Sequence, residues 1–142
     1  MQDYFKLEIK AEGKNEAFAR ATVASFALAL SPTLEEIGDI KTATSEAVTN
    51  AVVHAYPSSD GIVEIIGEID KAENSLTVTV ADFGCGIEDL DAALEPFYTT
   101  KPDDERSGMG FTIIDTFSDE MKVESKVGAG TTVRFKKVFK KC

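Results

Sequence analysis

"IVEIIGEIDKAENSLTVTVAD" (residues 62–82) decides the architecture. Two runs rich in β-branched residues, 62–69 and 76–82, flank the polar connector "DKAENS", which has hairpin length. Upstream of this pair, "YFKLEIK" (4–10) alternates apolar and polar and reads as a half-buried strand. Between them lie two helical stretches. "NEAFARATVASFALAL" (15–30) carries Phe18, Thr22, Phe26 and Ala29 at helical spacing. "SPTLEE" (31–36) opens the second, with Pro32 suited to a first turn and Thr33 and Glu36 spaced as a capping box. This helix runs from about Leu34 to about His54, with a core stripe of Leu34, Ile37, Ile40, Thr44, Val48, Ala51 and Ala55.

Downstream, "EDLDAAL" (88–94) reads as a short helix and "EPFYTTKPDDERS" (95–107) as a mobile, aperiodic loop. "GMGFTIIDTFSD" (108–119) opens on glycines and becomes helical. "EMKVESK" (120–126), a "VGAG" turn (127–130) and "TTVRFKKVF" (131–139) form a final hairpin. The order is β-α-α-β-β-loop-α-β-β, with no internal repeat, low-complexity tract or second-domain boundary. It predicts one α+β domain over residues 1–142, a two-layer sandwich with helices on one face of a mixed, mostly antiparallel sheet. Dinucleotide folds that alternate strand and helix are disfavoured.

The formal net charge is −10 with 25 acidic residues, which disfavours a binder of nucleic-acid backbones. A nucleotide is not disfavoured, because a local site and a divalent cation override the global field. A basic protein partner is favoured by long-range attraction. No apolar run is long enough to span a bilayer, and "MQDYFKLEIK" has no signal-peptide core. Cys85 and Cys142 lack metal spacing and suggest no disulfide framework, so the expected setting is reducing and cytoplasmic. The basic tail "RFKKVFKKC" reads as a strand end with a solubilising extension.

Four short patterns carry possible chemistry. In "TSEAVTNAVVHAY" (44–56), Glu46 and Asn50 lie one helical turn apart, on a line bordered by Ala43, Ala47 and Val53 instead of lysines. Asn offers a neutral oxygen to Mg²⁺, and Glu can orient or deprotonate a nucleophile. "ADFGCGI" (81–87) ends a strand in Asp82, an acceptor for an exocyclic amine, and brackets a turn with Gly84 and Gly86. "RSGMGFTII" (106–114) brings Arg106, Ser107, Gly108, Met109 and Gly110 to the mouth of a helix, where free N–H groups suit a phosphate. "GAGTTV" (128–133) places the hydroxyl of Thr131 or Thr132 at the entry to the last strand. Each pattern alone also fits a solvated helix face or a plain turn. Thr99, Thr100, Lys101 and Arg106 are loop candidates for a terminal phosphate. His54 reads as a helix-end histidine and Cys85 as a filler in its turn.

The order of these patterns resembles the GHKL (Bergerat) ATP-binding fold over nearly the whole chain. The resemblance implies Asn50 as a Mg²⁺ ligand, Asp82 as the reader of adenine, and Gly84, Gly86, Gly108 and Gly110 as the nucleotide glycines. The loop between them would be an ATP lid. "IKTATSEAVTNAVVHAY", "PFYTTKP" and "ERSGMGFTII" look most like the anti-sigma serine kinases of this fold. That resemblance implies three activities: silencing a sigma factor, phosphorylating an anti-anti-sigma protein on serine with Glu46 as general base, and forming a homodimer. It implies ATP and Mg²⁺, with no direct nucleic-acid or membrane partner. A sensor-kinase catalytic domain is a rival, weakened by Glu at position 46 and by a single histidine inside the helix. An ATPase switch without a protein substrate stays open, and a binding module without chemistry fits four ordered nucleotide patterns poorly. Glu16 and Arg20, at i and i+4, are an exposed candidate pair for partner contact.

Overall fold

The hairpin at 62–82 sits inside a five-stranded sheet in the computed structural model, which describes residues 3–55, 61–90, 94 and 110–140. The strands are β1 (Asp3–Lys10), β2 (Ile62–Asp70), β3 (Ser75–Asp82), β4 (Glu120–Lys126) and β5 (Gly130–Val138). Their order across the sheet is β1-β2-β3-β5-β4, and all four pairings are antiparallel. The helices are α1 (Asn15–Ala27), α2 (Leu34–Asn50) and α3 (Gly110–Thr116). The two-layer α+β arrangement is the one expected. No described helix is long and apolar enough to cross a membrane. Residues 91–93 of the short helix expected at 88–94 lie outside the described residues.

Period-two patterning decides which sheet face the helices cover. Val63, Ile65 and Ile69 of β2, Leu76, Val78 and Val80 of β3, and Val133 and Phe135 of β5 are buried. Ala19, Val23, Ala27, Ile40, Ala43, Ala47, Val48 and Ile114 close the same core from the helical layer. Outward positions carry charge instead, as in the Lys6–Glu64 pair at 3.3 Å and Lys136 between Glu73 and Glu120. One dry face and one wet face is the usual economy of antiparallel sheets.

The buried stripe of α1 is shifted by one residue from the expected one. Ala19, Val23 and Ala27 face inward, followed by Leu30 in the 3-10 turn Leu28–Leu30, while Phe18 is 55% exposed and Ala29 is exposed. Phe26 is half-buried and meets Phe5 edge-on at 4.8 Å between ring centroids. The Phe5 ring occupies the space a β-carbon on Gly67 would need, its nearest atom 2.3 Å from that position. On α2, Ile40, Thr44, Val48 and Ala51 are buried as expected, but Leu34 is 92% exposed. It is the first helical residue. Ala43 and Ala47, which border the line of Glu46 and Asn50, are buried, and Glu46 and Asn50 are themselves half-buried, unlike a well-solvated face. The α-helix ends at Asn50, and Ala51–Ala55 form a π-turn.

The start of α2 is clasped to the end of the chain. Thr33 Oγ1 accepts from Glu36 N at 3.1 Å, and Glu36 Oε1 accepts from Thr33 N at 2.9 Å, the reciprocal box the spacing predicts. The second Glu36 oxygen accepts from Lys140 N at 2.9 Å, and Lys137 Nζ meets Asp39 at 2.9 Å. Burial alone would raise the Glu36 carboxyl, but the N–H groups of Thr33 and Lys140, the Thr33 hydroxyl and the Lys137 charge outweigh it and hold it below its ordinary 4.5. A lowered folded value contributes stability that is fully present above the unfolded value and is lost as pH falls through the folded one. Glu36→Gln is therefore expected to lower the melting temperature at pH 7, with the gap to the parent narrowing as pH falls below the ordinary 4.5 and through the folded value. Thermal melts from pH 2 to 8 check this, and a gap of constant size across that range would contradict it.

Candidate functional site

Two clusters form where the sheet ends meet the helices. The first is built on Asp82, the last residue of β3. Register places Asp82 opposite Val63 and Ala81 opposite Thr132, so the start of β5 lies beside it. Asp82 is buried, and its Oδ1 accepts from Gly84 N and from Thr131 N, both at 3.1 Å. No donor among the described residues reaches its second oxygen. Burial raises the carboxyl above its ordinary range, although the two N–H groups pull it down. A buried carboxylate with an open oxygen invites a donor, because leaving it unmatched is costly.

Two tight turns nest against each other around this carboxylate. Gly86 has φ +76°, and a β-carbon there would stand 2.3 Å from the Lys126 carbonyl oxygen. Gly130 has φ +110°, and a β-carbon there would stand 2.1 Å from the Asp82 carbonyl oxygen. Only a residue without a side chain fits either place. Gly128 N donates to Cys85 O at 2.9 Å, and Ile87 N donates to Ser125 Oγ at 2.8 Å, sewing the turns together. Cys85 itself is exposed.

Of the two threonines at the head of β5, Thr131 faces this cluster. Its N–H reaches Asp82 and its Oγ1 lies 2.8 Å from Ser125 Oγ, whereas Thr132 points to the outer sheet face. Ser125 is not anticipated by the sequence patterns. A signal for it exists: Met121, Val123 and Ser125 occupy successive inward positions of β4, and only the third is polar.

The second cluster joins the end of α2 to the mouth of α3. A β-carbon on Gly110 would stand 2.6 Å from Asn50 Nδ2 and 2.7 Å from Asn50 Oδ1. The carboxamide thus lies directly on the first residue of α3, and two patterns sixty positions apart become one place. Glu46, one turn earlier on α2, is half-buried. Among the described residues no three acidic, histidine or cysteine side chains gather as a metal cluster. Asn50 offers one neutral oxygen, which suits a small cation held mainly by phosphate and water.

Thr99, Thr100, Lys101, Arg106, Ser107, Gly108 and Met109, and the loop 95–107 as a whole, lie outside the described residues, as does the His54 side chain. Glu16 and Arg20 are not a freely solvated pair. Arg20 lies 3.3 Å from Glu16, whose side chain is 17% exposed and accepts from the Ser45 hydroxyl on α2.

Residues 9–137 match the family model described as a histidine kinase-like ATPase domain. The anti-sigma F factor of Clostridium acetobutylicum is 52% identical over 98% of this chain and 96% of its own length. That of Caldanaerobacter subterraneus subsp. tengcongensis is 51% identical, covering 93% of this chain and 91% of its own. Among solved structures, the RsbU and RsbW domains of a Mycobacterium tuberculosis protein superpose with a TM-score of 0.70 at 18% identity, over 96% of this chain and 32% of that one. The histidine kinase domain of the Erythrobacter litoralis blue-light activated kinase gives 0.57 at 22% identity, over 92% of this chain and 62% of that one. These two likenesses speak for the fold alone. By the match over residues 9–137 and by relatives about half identical over nearly their whole length, the chain belongs to the anti-sigma F factor family, built on the histidine kinase-like ATPase domain.

Proposed function

We propose that this chain is an ATP-dependent protein-serine kinase that also binds and silences a sigma factor. The observation that carries the chemical part is Asn50 seated against Gly110, with Glu46 one turn back on the same helix. The full-length kinship with anti-sigma F factors supports the sigma-factor part.

In this reading the adenine amino group donates to the open oxygen of Asp82. Gly84 and Gly86 let the backbone approach the ring, and the Thr131 hydroxyl lines the same side. Asn50 supplies the protein oxygen for Mg²⁺, which when bound neutralises charge on the phosphates. Thr99, Thr100, Lys101, Arg106 and the stretch Ser107, Gly108, Met109 and Gly110 are assigned to the phosphate side. Glu46 accepts the proton of the acceptor serine as the serine oxygen bonds to the γ-phosphorus. The bond from that phosphorus to the bridging oxygen breaks, and ADP leaves with the electron pair. Such a transfer depends on positioning and charge stabilisation more than on covalent help from the protein.

The partners are a sigma factor, an anti-anti-sigma protein bearing the serine, and a second copy of this chain. The excess of acidic residues favours a partner with basic surface. A competing reading, an ATPase switch, draws on the same Glu46, since a carboxylate that activates a hydroxyl can also activate water. One experiment separates them: incubation with γ-labelled ATP, Mg²⁺ and the candidate serine protein, followed by phosphoamino-acid analysis. Labelled phosphoserine is the expected result. Labelled inorganic phosphate with no labelled protein would overturn the kinase in favour of the switch.

A further inference from the structure

We infer that Ser45 is a positioning residue for phosphotransfer: bonded to Glu16 on α1, it fixes the rotation of α2 and with it the aim of Glu46. The inference rests on Glu46 as the general base. The Ser45 hydroxyl donates to Glu16 Oε1, and the Arg20 guanidinium lies 3.3 Å from that same oxygen. A guanidinium can only donate, so this oxygen is an acceptor for both neighbours and the direction of the Ser45 bond is fixed. Ser45 directly precedes Glu46 in the chain, and both are half-buried.

A helix packed through short apolar side chains has little to index its rotation. The buried residues of α1 are Ala19, Val23 and Ala27, and those of α2 around Ser45 are Ala43, Thr44, Ala47 and Val48. Hydrophobic burial has no direction, whereas a hydrogen bond to a charged acceptor does. Thr44 Oγ1 has no partner among the described residues, so the neighbouring hydroxyl offers no such tie. Successive helical residues stand about 100° apart, so whatever fixes Ser45 against α1 fixes the heading of Glu46.

The geometry makes the rate sensitive to this tie. Side-chain tips stand about 5–6 Å from a helix axis. A rotation of about 10° therefore carries the Glu46 carboxylate about 1 Å, and a misplacement of that size can cost about 100-fold in rate. Nucleotide affinity is less exposed to the same rotation. Asp82 on β3, the glycine turns and the mouth of α3 are all assigned to the nucleotide, and all lie off α2. Transfer draws on Glu46 alone for its base.

The test is single-turnover phosphotransfer by the full chain at saturating ATP and serine protein, beside titration with ATP. Ser45→Ala is expected to transfer about 10–50-fold more slowly while its ATP dissociation constant stays within about twofold of the parent's. Ser45→Thr, which keeps the hydroxyl, should return the rate to within about threefold. Glu16→Leu removes the acceptor from the other side and should slow transfer to the same degree. The double variant Ser45→Ala with Glu16→Leu should be no slower than either alone, because both delete one bond. If Ser45→Ala does not fold, Ser45→Cys replaces it, with the same loss expected. Transfer at the parent rate in the Ala or Cys variant overturns the inference, as do losses that multiply in the double variant. A loss of ATP affinity as large as the loss of rate marks a merely structural role and overturns it too. Slow transfer by Glu46→Gln beside normal transfer by Ser45→Ala removes this inference alone, whereas parent-rate transfer by Glu46→Gln removes the base assignment beneath it.

Discussion

Glu46→Gln should transfer phosphate to the serine protein about 10²–10⁴-fold more slowly than the parent, the usual cost of losing a general base. Glutamine keeps the shape and length of the side chain and removes its basicity. ATP affinity should stay within about twofold, because the proposed role of Glu46 faces the acceptor hydroxyl and not the nucleotide. Sigma-factor binding should stay for the same reason. Asn50→Ala makes the contrast, since it removes the oxygen assigned to Mg²⁺ and should weaken binding and transfer together. Single-turnover phosphorylation beside titration with a fluorescent ATP analogue measures both. Transfer at the parent rate in Glu46→Gln would remove the base from the mechanism and leave α2 as a nucleotide-binding element only.

Asp82→Asn should weaken ATP binding by about 10–100-fold and at the same time raise the melting temperature of the ligand-free protein. The binding loss is that of a hydrogen bond to a charged acceptor, about 1.5–3 kcal/mol, made worse because the new amide turns a donor toward the adenine amine. The gap between ATP and GTP should narrow, since a guanine carbonyl accepts from that amide. The stability gain follows from burial, which raises the Asp82 carboxyl above its ordinary 3.8 against the pull of Gly84 and Thr131. The folded protein therefore binds that proton more tightly than the unfolded chain. Its contribution favours folding below the unfolded value and is lost as pH rises through the folded one. At neutral pH the ionised carboxylate is a cost that asparagine removes, while its oxygen can still accept from both N–H groups. Calorimetric melts at pH 7 and equilibrium dialysis check the two halves. A variant that is less stable and binds ATP normally would contradict both.

The parts of the molecule that are local were legible. The hairpin at 62–82 and the capping box of Thr33 and Glu36 depend on neighbours in sequence, and both stand where the spacing places them. The stripe of α1 was not, because two of its faces are uncharged. The bulk of Phe18 and Phe26 outweighs Ala19, Val23 and Ala27 in any pattern, yet the small residues are the ones that enter the core. Glu46, Asn50, Asp82 and the glycines could be listed in order, but the contact of Asn50 with Gly110 is set by how α3 docks on α2. The choice of Thr131 over Thr132 and the place of Ser125 both depend on β4–β5 register, which one residue of slip would reverse. Glu16 looked solvent-facing because nothing in its own helix announces Ser45 across the interface.

The bond between Glu36 and Lys140 spans 104 positions and has a consequence in time. Translation delivers β5 last, and β5 is the strand that joins β4 to the rest of the sheet. Until residue 140 has left the ribosome, the edge of β3 is open, β4 has no partner strand, and the first turn of α2 lacks its distant anchor. Long-range closures of this kind slow folding and leave sheet edges exposed meanwhile. The Glu36–Lys140 bond is thus a contact that forms only when β5 has been laid between β3 and β4.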